Sequence, residues 1–146
     1  MRFVTILLGL ALFFLSHNPA IARVYLGNEV LAMRSYKILQ GKRVGLLTNT
    51  SGVDGRGRSI IDILHNSPKV NLVALFGAEH GVDGKIPAGQ EFPNSKHHRT
   101  GLPIFSLYGP GPVRKPTPKM LRNIDCLVYD IQDTGARSYT FISTMG

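Results

Sequence analysis

One apolar run, which stops at polar residues framed by glycines, restricts the folds open to this chain more than any other stretch. Val70 to Phe76 is rich in Val and Leu, as a buried strand is, and the residues that follow are Gly77, Ala78, Glu79, His80 and Gly81. Open α/β sheets bind their ligands beyond the carboxyl ends of strands. Glu79 is therefore predicted to be the reactive group, with His80 beside it. The alternative is that both are solvated loop residues.

This run forms half of a predicted strand–helix–strand unit. Val44 to Thr48 is a continuous apolar run of the kind that forms a buried parallel strand. Ser59, with Asp62 three residues later, predicts the start of a short helix between the two strands. Because a right-handed crossover makes the strands parallel, their carboxyl ends lie at one edge of the sheet. Asn49 and Glu79 are thus predicted to face the same crevice.

Further elements extend the same pattern. Strands are predicted over Leu102 to Tyr108 and Asp125 to Ile131, separated by a short helix that Thr117 caps. Helical spacing of apolar residues also predicts a helix over Glu29 to Leu39 and another beginning at Ser138. The predicted fold class is α/β, with a mostly parallel sheet and flanking helices.

Asp130 interrupts the apolar run of the last predicted strand. A carboxylate inside a buried run is costly unless it is paired or used. Two interpretations stay open and are compatible: Asp130 pairs with Arg137 or caps a loop, or it belongs to the site together with Asp133.

The stretch from Gly81 to Gly101 has no periodicity, and long irregular connections are more often functional than accidental. It is predicted to overhang the site. His97 and His98 could form a metal site with His80, but adjacent side chains of an extended segment point to opposite sides. No metal site is predicted. Cys126 is the only cysteine, so no intrachain disulfide can form, and a buried structural thiol is expected.

The amino terminus has the features of an export signal. Arg2 precedes an uncharged apolar run over residues 3–15, and Ala20, Ile21 and Ala22 form a small-x-small cleavage site. Residues 1–22 are predicted to be a signal peptide, and the run is too short for a stable membrane span. The protein is therefore expected to be periplasmic or extracellular.

The mature chain is basic, but its charge is dispersed. Removal of the signal peptide takes away Arg2, so 16 of the 17 Lys and Arg residues remain against 9 Asp and Glu, which gives a net charge of +7. Dispersed basic residues suit an acidic polymer or an anionic envelope surface better than a nucleic-acid groove, and no nucleic-acid partner is expected. A basic surface that only keeps the protein soluble is an equal alternative.

Several blocks between residues 41 and 145 carry a family likeness. In order they resemble the amino-terminal half of the exo-β-N-acetylmuramidases, once catalogued as a domain of unknown function: GKRVGLLTNTSGVDGRGRSIIDIL, LVALFGAEHG, TGLPIFSLYG, RKPTPKML and DCLVYDIQDTGARSYTFISTM. The family usually has Pro where Ala78 stands, and His97 and His98 fall in a variable stretch. The family chain is also more than twice as long.

The resemblance implies a fold and an activity. Members are exported glycoside hydrolases that remove terminal N-acetylmuramic acid from peptidoglycan fragments or muropeptides, without a cofactor. Their larger domain is Rossmann-like and faces a smaller carboxyl-terminal domain across the active cleft. Residues 23–146 would then be an incomplete Rossmann-like catalytic domain, truncated before the smaller domain. The residues that match the family's site are Glu79 and His80, then Asn49, Asp130, Asp133, Arg137 and Tyr139.

Glycoside hydrolysis uses a carboxylic acid that protonates the leaving oxygen and usually a second carboxylate. Glu79 is accordingly expected to be the general acid, with Asp130 or Asp133 stabilising the oxocarbenium charge or directing water. A neighbouring carboxylate should raise the pKa of Glu79, and Arg137 should hold the aspartates ionised.

Two rival functions stay open at this point. The chain could bind a muropeptide or another anionic ligand without cleaving it, or it could be a shortened, inactive fragment.

Overall fold

The computed structural model describes residues 23–111, 114–136 and 138–145. The predicted signal peptide, residues 1–22, and the predicted site residue Arg137 lie outside this part of the chain. The described residues form an α/β fold around one five-stranded sheet, as the sequence predicts.

The sheet is mostly parallel. Its strands, in chain order, are β1 Arg43–Thr48, β2 Asn71–Gly77, β3 Ser95–Lys96, β4 Pro103–Ser106 and β5 Cys126–Asp130. They are arranged in the order β3-β4-β2-β1-β5. The pairs β1–β2, β1–β5 and β2–β4 are parallel, and only the short edge strand β3 runs antiparallel to its neighbour β4. This arrangement is the predicted Rossmann-like pattern.

The helices are short, and two of the three begin at polar caps. They are α1 Gly27–Met33, α2 Ile60–His65 and α3 Pro118–Leu121, with 3-10 turns at Lys37–Leu39 and Phe141–Thr144. Ser59 accepts a hydrogen bond from the Ile61 backbone N–H, and Thr117 accepts one from Met120, as the capping patterns predict. None of the helices in the described part of the chain has the length and apolar character needed to cross a membrane.

Two predicted helices differ from the structure. The helix expected over Glu29 to Leu39 is wrong in extent, because Ser35 and Tyr36 both adopt φ +54°, a left-handed conformation that ends α1. The helix expected from Ser138 is only the 3-10 turn at Phe141–Thr144.

Apolar side chains cover both faces of the sheet. Leu46 and Leu75 point to the face that α1 and α2 cover, where they pack with Ile60, Ile61 and Leu64. Leu47 and Phe76 point to the opposite face, against Leu107 and the residues of α3. Successive strand residues alternate between the faces, so the sheet is buried on both sides. Cys126 is a free, half-buried thiol at the start of β5.

The irregular stretch from Gly81 to Gly101 is more ordered than expected. It contains β3, after which Gly101 N–H donates to the His97 carbonyl at 2.8 Å and reverses the chain. The expectation that His97 and His98 point to opposite sides is wrong, since this turn brings their ring centroids within 5.0 Å.

The carboxyl ends of four strands are level with one another. Thr48 pairs with Gly77 on one side and with Asp130 on the other, while Gly77 pairs with Ser106. The Thr48 hydroxyl also donates to the Asp130 carbonyl at 2.8 Å. The loops that follow these strands therefore start at one edge, where the sequence predicts the site.

Gly52 allows the loop after β1 to lie on this edge. A Cβ atom there would lie 2.1 Å from Thr48 Oγ1 and 3.0 Å from the Asp130 carbonyl oxygen. We expect Gly52→Ala to destabilise the fold by about 1–3 kcal/mol, because the backbone must shift to relieve the overlap. The midpoint and slope of urea unfolding measure this loss.

Gly27→Ala is the matched control. A Cβ at Gly27 meets nothing within 4 Å, and Ala favours the helix in which Gly27 lies. The two variants should therefore shift the urea midpoint differently, and equal shifts would contradict the packing role of Gly52.

Candidate active site

Glu79 lies two residues beyond β2, and two loops hold its carboxylate. Oε1 accepts a hydrogen bond from the Gly89 backbone N–H at 2.9 Å. Oε2 accepts one from the Thr140 hydroxyl at 2.8 Å. The stretch from Gly81 to Gly101 thus folds onto Glu79, and the segment after β5 reaches it from the other side. Glu79 is a fixed part of this edge and not a solvated loop residue.

These contacts lower the pKa of Glu79. The Gly89 backbone N–H has the largest effect and the Thr140 hydroxyl the next, and both outweigh the opposing effect of burial. The expectation that a neighbouring carboxylate raises this pKa is wrong for this arrangement, because hydrogen-bond donors, not anions, surround the group. Glu79 is held in its ionised form.

His80 fixes the turn that carries Glu79. Its backbone is left-handed, at φ +71°, a conformation that is unusual for a residue with a side chain. Nδ1 lies 2.9 Å from the Ile86 carbonyl oxygen, and Ile86 N–H donates to the His80 carbonyl at 3.2 Å. Because a carbonyl only accepts, Nδ1 carries the proton and Nε2 is left as an acceptor. His80 therefore closes its own loop.

Asp130 faces the helix α1. Strand residues two positions apart lie on the same face of the sheet, and Val128 packs on the face that α1 and α2 cover. Asp130 Oδ2 accepts a hydrogen bond from Asn28 Nδ2 at 3.1 Å. Asn28 also donates to the Val53 carbonyl at 2.9 Å. Burial raises the pKa of Asp130, against the weaker opposing effect of Asn28. Arg137, the residue expected to hold this aspartate ionised, lies outside the described residues, so that expectation stays a prediction.

Asp133 lies three residues beyond the end of β5. Its Oδ1 accepts a hydrogen bond from Gly135 N–H at 2.7 Å. Burial, together with a smaller effect of the Asp133 charge, raises the pKa of Tyr129, whose hydroxyl donates to the Phe141 carbonyl at 3.1 Å. Phe141 follows Thr140, the residue that binds Glu79. Glu79 thus contacts Thr140 directly, Asp133 lies near Tyr129, which contacts Phe141, and Asp130 contacts Asn28 of α1.

Asn49 and Tyr139 occupy the rim. Asn49 Oδ1 accepts hydrogen bonds from Ser51 N–H at 2.8 Å and from Ser51 Oγ at 2.7 Å. Ser51 Oγ in turn accepts from Gln132 N–H at 2.8 Å, which ties the loop after β1 to the loop after β5. Tyr139 is 50% exposed beside Thr140.

Three contacting groups were not predicted from the sequence. They are Asn28, which binds Asp130, and the Gly89 N–H and Thr140 hydroxyl, which bind Glu79. Nothing in the local pattern distinguishes Thr140 or Gly89 from other loop residues, since their roles depend on how distant segments meet. An asparagine near the start of a helix was the only available signal for Asn28.

Comparison with known proteins identifies relatives of this chain. Residues 44–146 match the family model described as Exo-beta-N-acetylmuramidase NamZ, N-terminal. The chain is 48% identical over 123 residues to the peptidoglycan beta-N-acetylmuramidase NamZ of Bacillus subtilis (strain 168). That alignment covers 84% of this chain and 29% of the relative, so the chain spans less than a third of the relative's length.

Two crystal structures of DUF1343 family proteins from Bacteroides fragilis NCTC 9343 have the same fold. One is 55% identical to this chain with a TM-score of 0.75, and the match covers 86% of this chain and 31% of that protein. The other is 33% identical to this chain with a TM-score of 0.62, and the match covers 82% of this chain and 28% of that protein.

The hydrogen bond from Thr140 can be tested by its effect on Glu79. We expect Thr140→Val to raise the pKa of Glu79, because the ionised carboxylate loses a donor. A side-chain carboxyl NMR titration measures this pKa. Thr134→Val, at an exposed position after β5, is the control and should leave the titration unchanged. An unshifted Glu79 in Thr140→Val would contradict the contact.

Proposed function

Because this chain belongs to the family of the exo-β-N-acetylmuramidase NamZ amino-terminal domain, we propose that it is a glycoside hydrolase domain that acts on peptidoglycan fragments. The proposed reaction is the release of terminal N-acetylmuramic acid. The Bacillus subtilis relative is a peptidoglycan beta-N-acetylmuramidase, which supports this class of reaction. The observation that carries the proposal is the carboxylate of Glu79, held by two loops beyond the carboxyl end of β2.

Glu79 is proposed as the general acid. Without a ligand its hydrogen bonds favour the ionised form, so it must gain a proton before it can protonate a leaving oxygen. A sugar ring that covers the carboxylate removes water from it, and such desolvation raises the pKa of an acid. Substrate binding is therefore proposed to convert Glu79 from an ionised hydrogen-bond acceptor into a proton donor.

Asp133 is proposed as the second carboxylate, in preference to Asp130. It lies near Tyr129, whose hydroxyl contacts the residue after Thr140, and its buried Oδ2 has no hydrogen-bond partner among the described residues. An unpaired carboxylate oxygen can stabilise a developing oxocarbenium charge or orient water. Asp130 has a structural role in this proposal, since it links β5 to α1 through Asn28. Asn49, His80, Arg137 and Tyr139 are proposed to shape and line the sugar site.

The second candidate function is binding of a muropeptide or another anionic ligand without cleavage. The ionised state of Glu79 favours the muropeptide among these ligands, because a carboxylate accepts hydrogen bonds from sugar hydroxyl groups. Turnover separates the two functions. A binding module would be stabilised thermally by the saccharide and would release no product.

We expect Glu79→Gln to lower the release of N-acetylmuramic acid from a chromogenic N-acetylmuramide by roughly 10²–10⁴-fold, because the amide cannot transfer a proton. The initial rate of chromophore release by the full chain, and its pH dependence, are the measurements. Glu91→Gln is the control, since Glu91 is exposed on the same long loop. Equal rates for wild type and Glu79→Gln would refute the catalytic role.

We also propose that residues 1–22 direct export and are removed after Ala22, which places the protein where peptidoglycan lies. Mass spectrometry of the exported protein should then give an amino terminus at Arg23. Ala22→Leu should block processing, because the cleavage site needs a small residue, while Ala11→Leu within the apolar run should not. An exported chain that retains Met1 would contradict the cleavage.

A further inference from the structure

Three side chains of metal-binding type, Asp83, His97 and His98, converge between the loop after β2 and the turn after β3. Asp83 Oδ1 lies 3.7 Å from His97 Nε2, and Asp83 Oδ2 lies 3.8 Å from His98 Nδ1. One ligand atom from each residue can be chosen so that all three lie within 4.8 Å of one another. The proposed hydrolase reaction does not use this cluster.

His97 has a nitrogen that the protein leaves unused. The residue is 1% exposed, and its Nε2 has no hydrogen-bond partner among the described residues. An unsatisfied buried polar atom is costly, so native proteins retain few of them without a further role. Nε2 faces Asp83, and the other ring nitrogen, Nδ1, lies 2.9 Å from the Thr100 hydroxyl.

We propose that Asp83, His97 and His98 bind a divalent transition-metal ion of the zinc class. The ligand atoms are one Asp83 carboxylate oxygen, His97 Nε2 and His98 Nδ1. Two imidazoles and one carboxylate favour zinc over magnesium, which prefers oxygen ligands. Three protein ligands leave a fourth tetrahedral position for water.

The spacing of the ligand atoms fits such an ion after a small adjustment. Bonds of about 2.1 Å in a tetrahedron place ligand atoms roughly 3.4 Å apart. Each histidine nitrogen lies within a few tenths of an ångström of that distance from one Asp83 oxygen, His97 from Oδ1 and His98 from Oδ2, and with a single oxygen all three atoms lie within 4.8 Å of one another. His98, with its side chain 59% exposed, is free to rotate and shorten the remaining gap.

The residues around the cluster hold the ligands in place. Metal binding at Nε2 puts the His97 proton on Nδ1, where the Thr100 hydroxyl at 2.9 Å accepts it in place of the longer 3.4 Å contact from the Thr100 N–H. Such a partner orients a metal-binding imidazole. Val82, which precedes Asp83, is 5% exposed and belongs to the core. Arg99 pairs with Asp62 of α2 at 3.1 Å and so anchors the turn that contains both histidines.

The metal would join two separate loops. Asp83 is four residues beyond Glu79, and His97 begins the turn between β3 and β4. A bound ion would therefore cross-link the Glu79 loop to the edge of the sheet. Its effect on the site is structural, because the ligands are not the residues that hold the Glu79 carboxylate.

Zinc titration of the full chain, purified without a histidine tag and treated with chelator, tests the site. Calorimetry should show one Zn²⁺ per chain, and Zn²⁺ but not Mg²⁺ should raise the melting temperature. Substituting Co²⁺ should give the visible absorption of a low-coordinate site. No bound Zn²⁺, or equal stabilisation by Mg²⁺, would overturn the proposal.

Variants identify the ligands. Asp83→Asn and His98→Ala alter side chains that are not buried, so both should fold, and each should weaken Zn²⁺ binding by at least about tenfold. His65→Ala removes an exposed histidine at the end of α2 and is the control. Unchanged affinity in both ligand variants, or an equal loss in the control, would contradict the assignment. These readouts do not depend on hydrolase activity, so they remain valid if the proposed function fails.

Discussion

The parallel register of β1 with its two neighbours determines where every loop of the candidate site begins. Thr48 pairs with both Gly77 and Asp130, so three strand ends stop level with one another. The Thr48 hydroxyl adds a hydrogen bond to the Asp130 carbonyl, and Gly52 permits the close approach of the next loop. A shift of one residue in either pairing would turn the following side chains to the opposite face. The pairing of the strands thus determines which side chains can reach this edge of the sheet.

The two acidic groups that follow β2 and end β5 differ because their surroundings differ. Glu79 accepts two hydrogen bonds and has a lowered pKa, whereas Asp130 is buried with a single amide donor and has a raised pKa. The Glu79 interactions therefore stabilise the fold above its unfolded pKa, and this stability is lost as the pH falls through its folded pKa. Asp130 has the opposite effect: burial favours its protonated form, and that contribution is lost as the pH rises through its folded pKa. Two carboxylates at the same edge of the sheet can therefore have pKa values shifted in opposite directions.

Local sequence patterns were sufficient for the strands and caps but not for the site contacts. Apolar runs predicted four of the strands, and Ser59 and Thr117 predicted two helix starts, because these signals depend on neighbouring residues. The contact between Thr140 and Glu79 joins residues 61 positions apart, and no local pattern encodes such a meeting. The same limit applies to His97 and His98. Their side chains converge because a turn replaces the extended backbone that the sequence led us to expect.

The loop after β2 is fixed at several points, which bears on how Glu79 can act. His80 closes the loop on Ile86, Val82 is buried in the core, and Gly89 N–H holds the carboxylate itself. Ordering a side chain and its backbone costs conformational entropy, and here folding has already met that cost before a ligand arrives. A saccharide that reaches this edge therefore meets a carboxylate in a set position and need not order the loop. What binding must change is the hydration of Glu79, and with it the balance between its ionised and protonated forms.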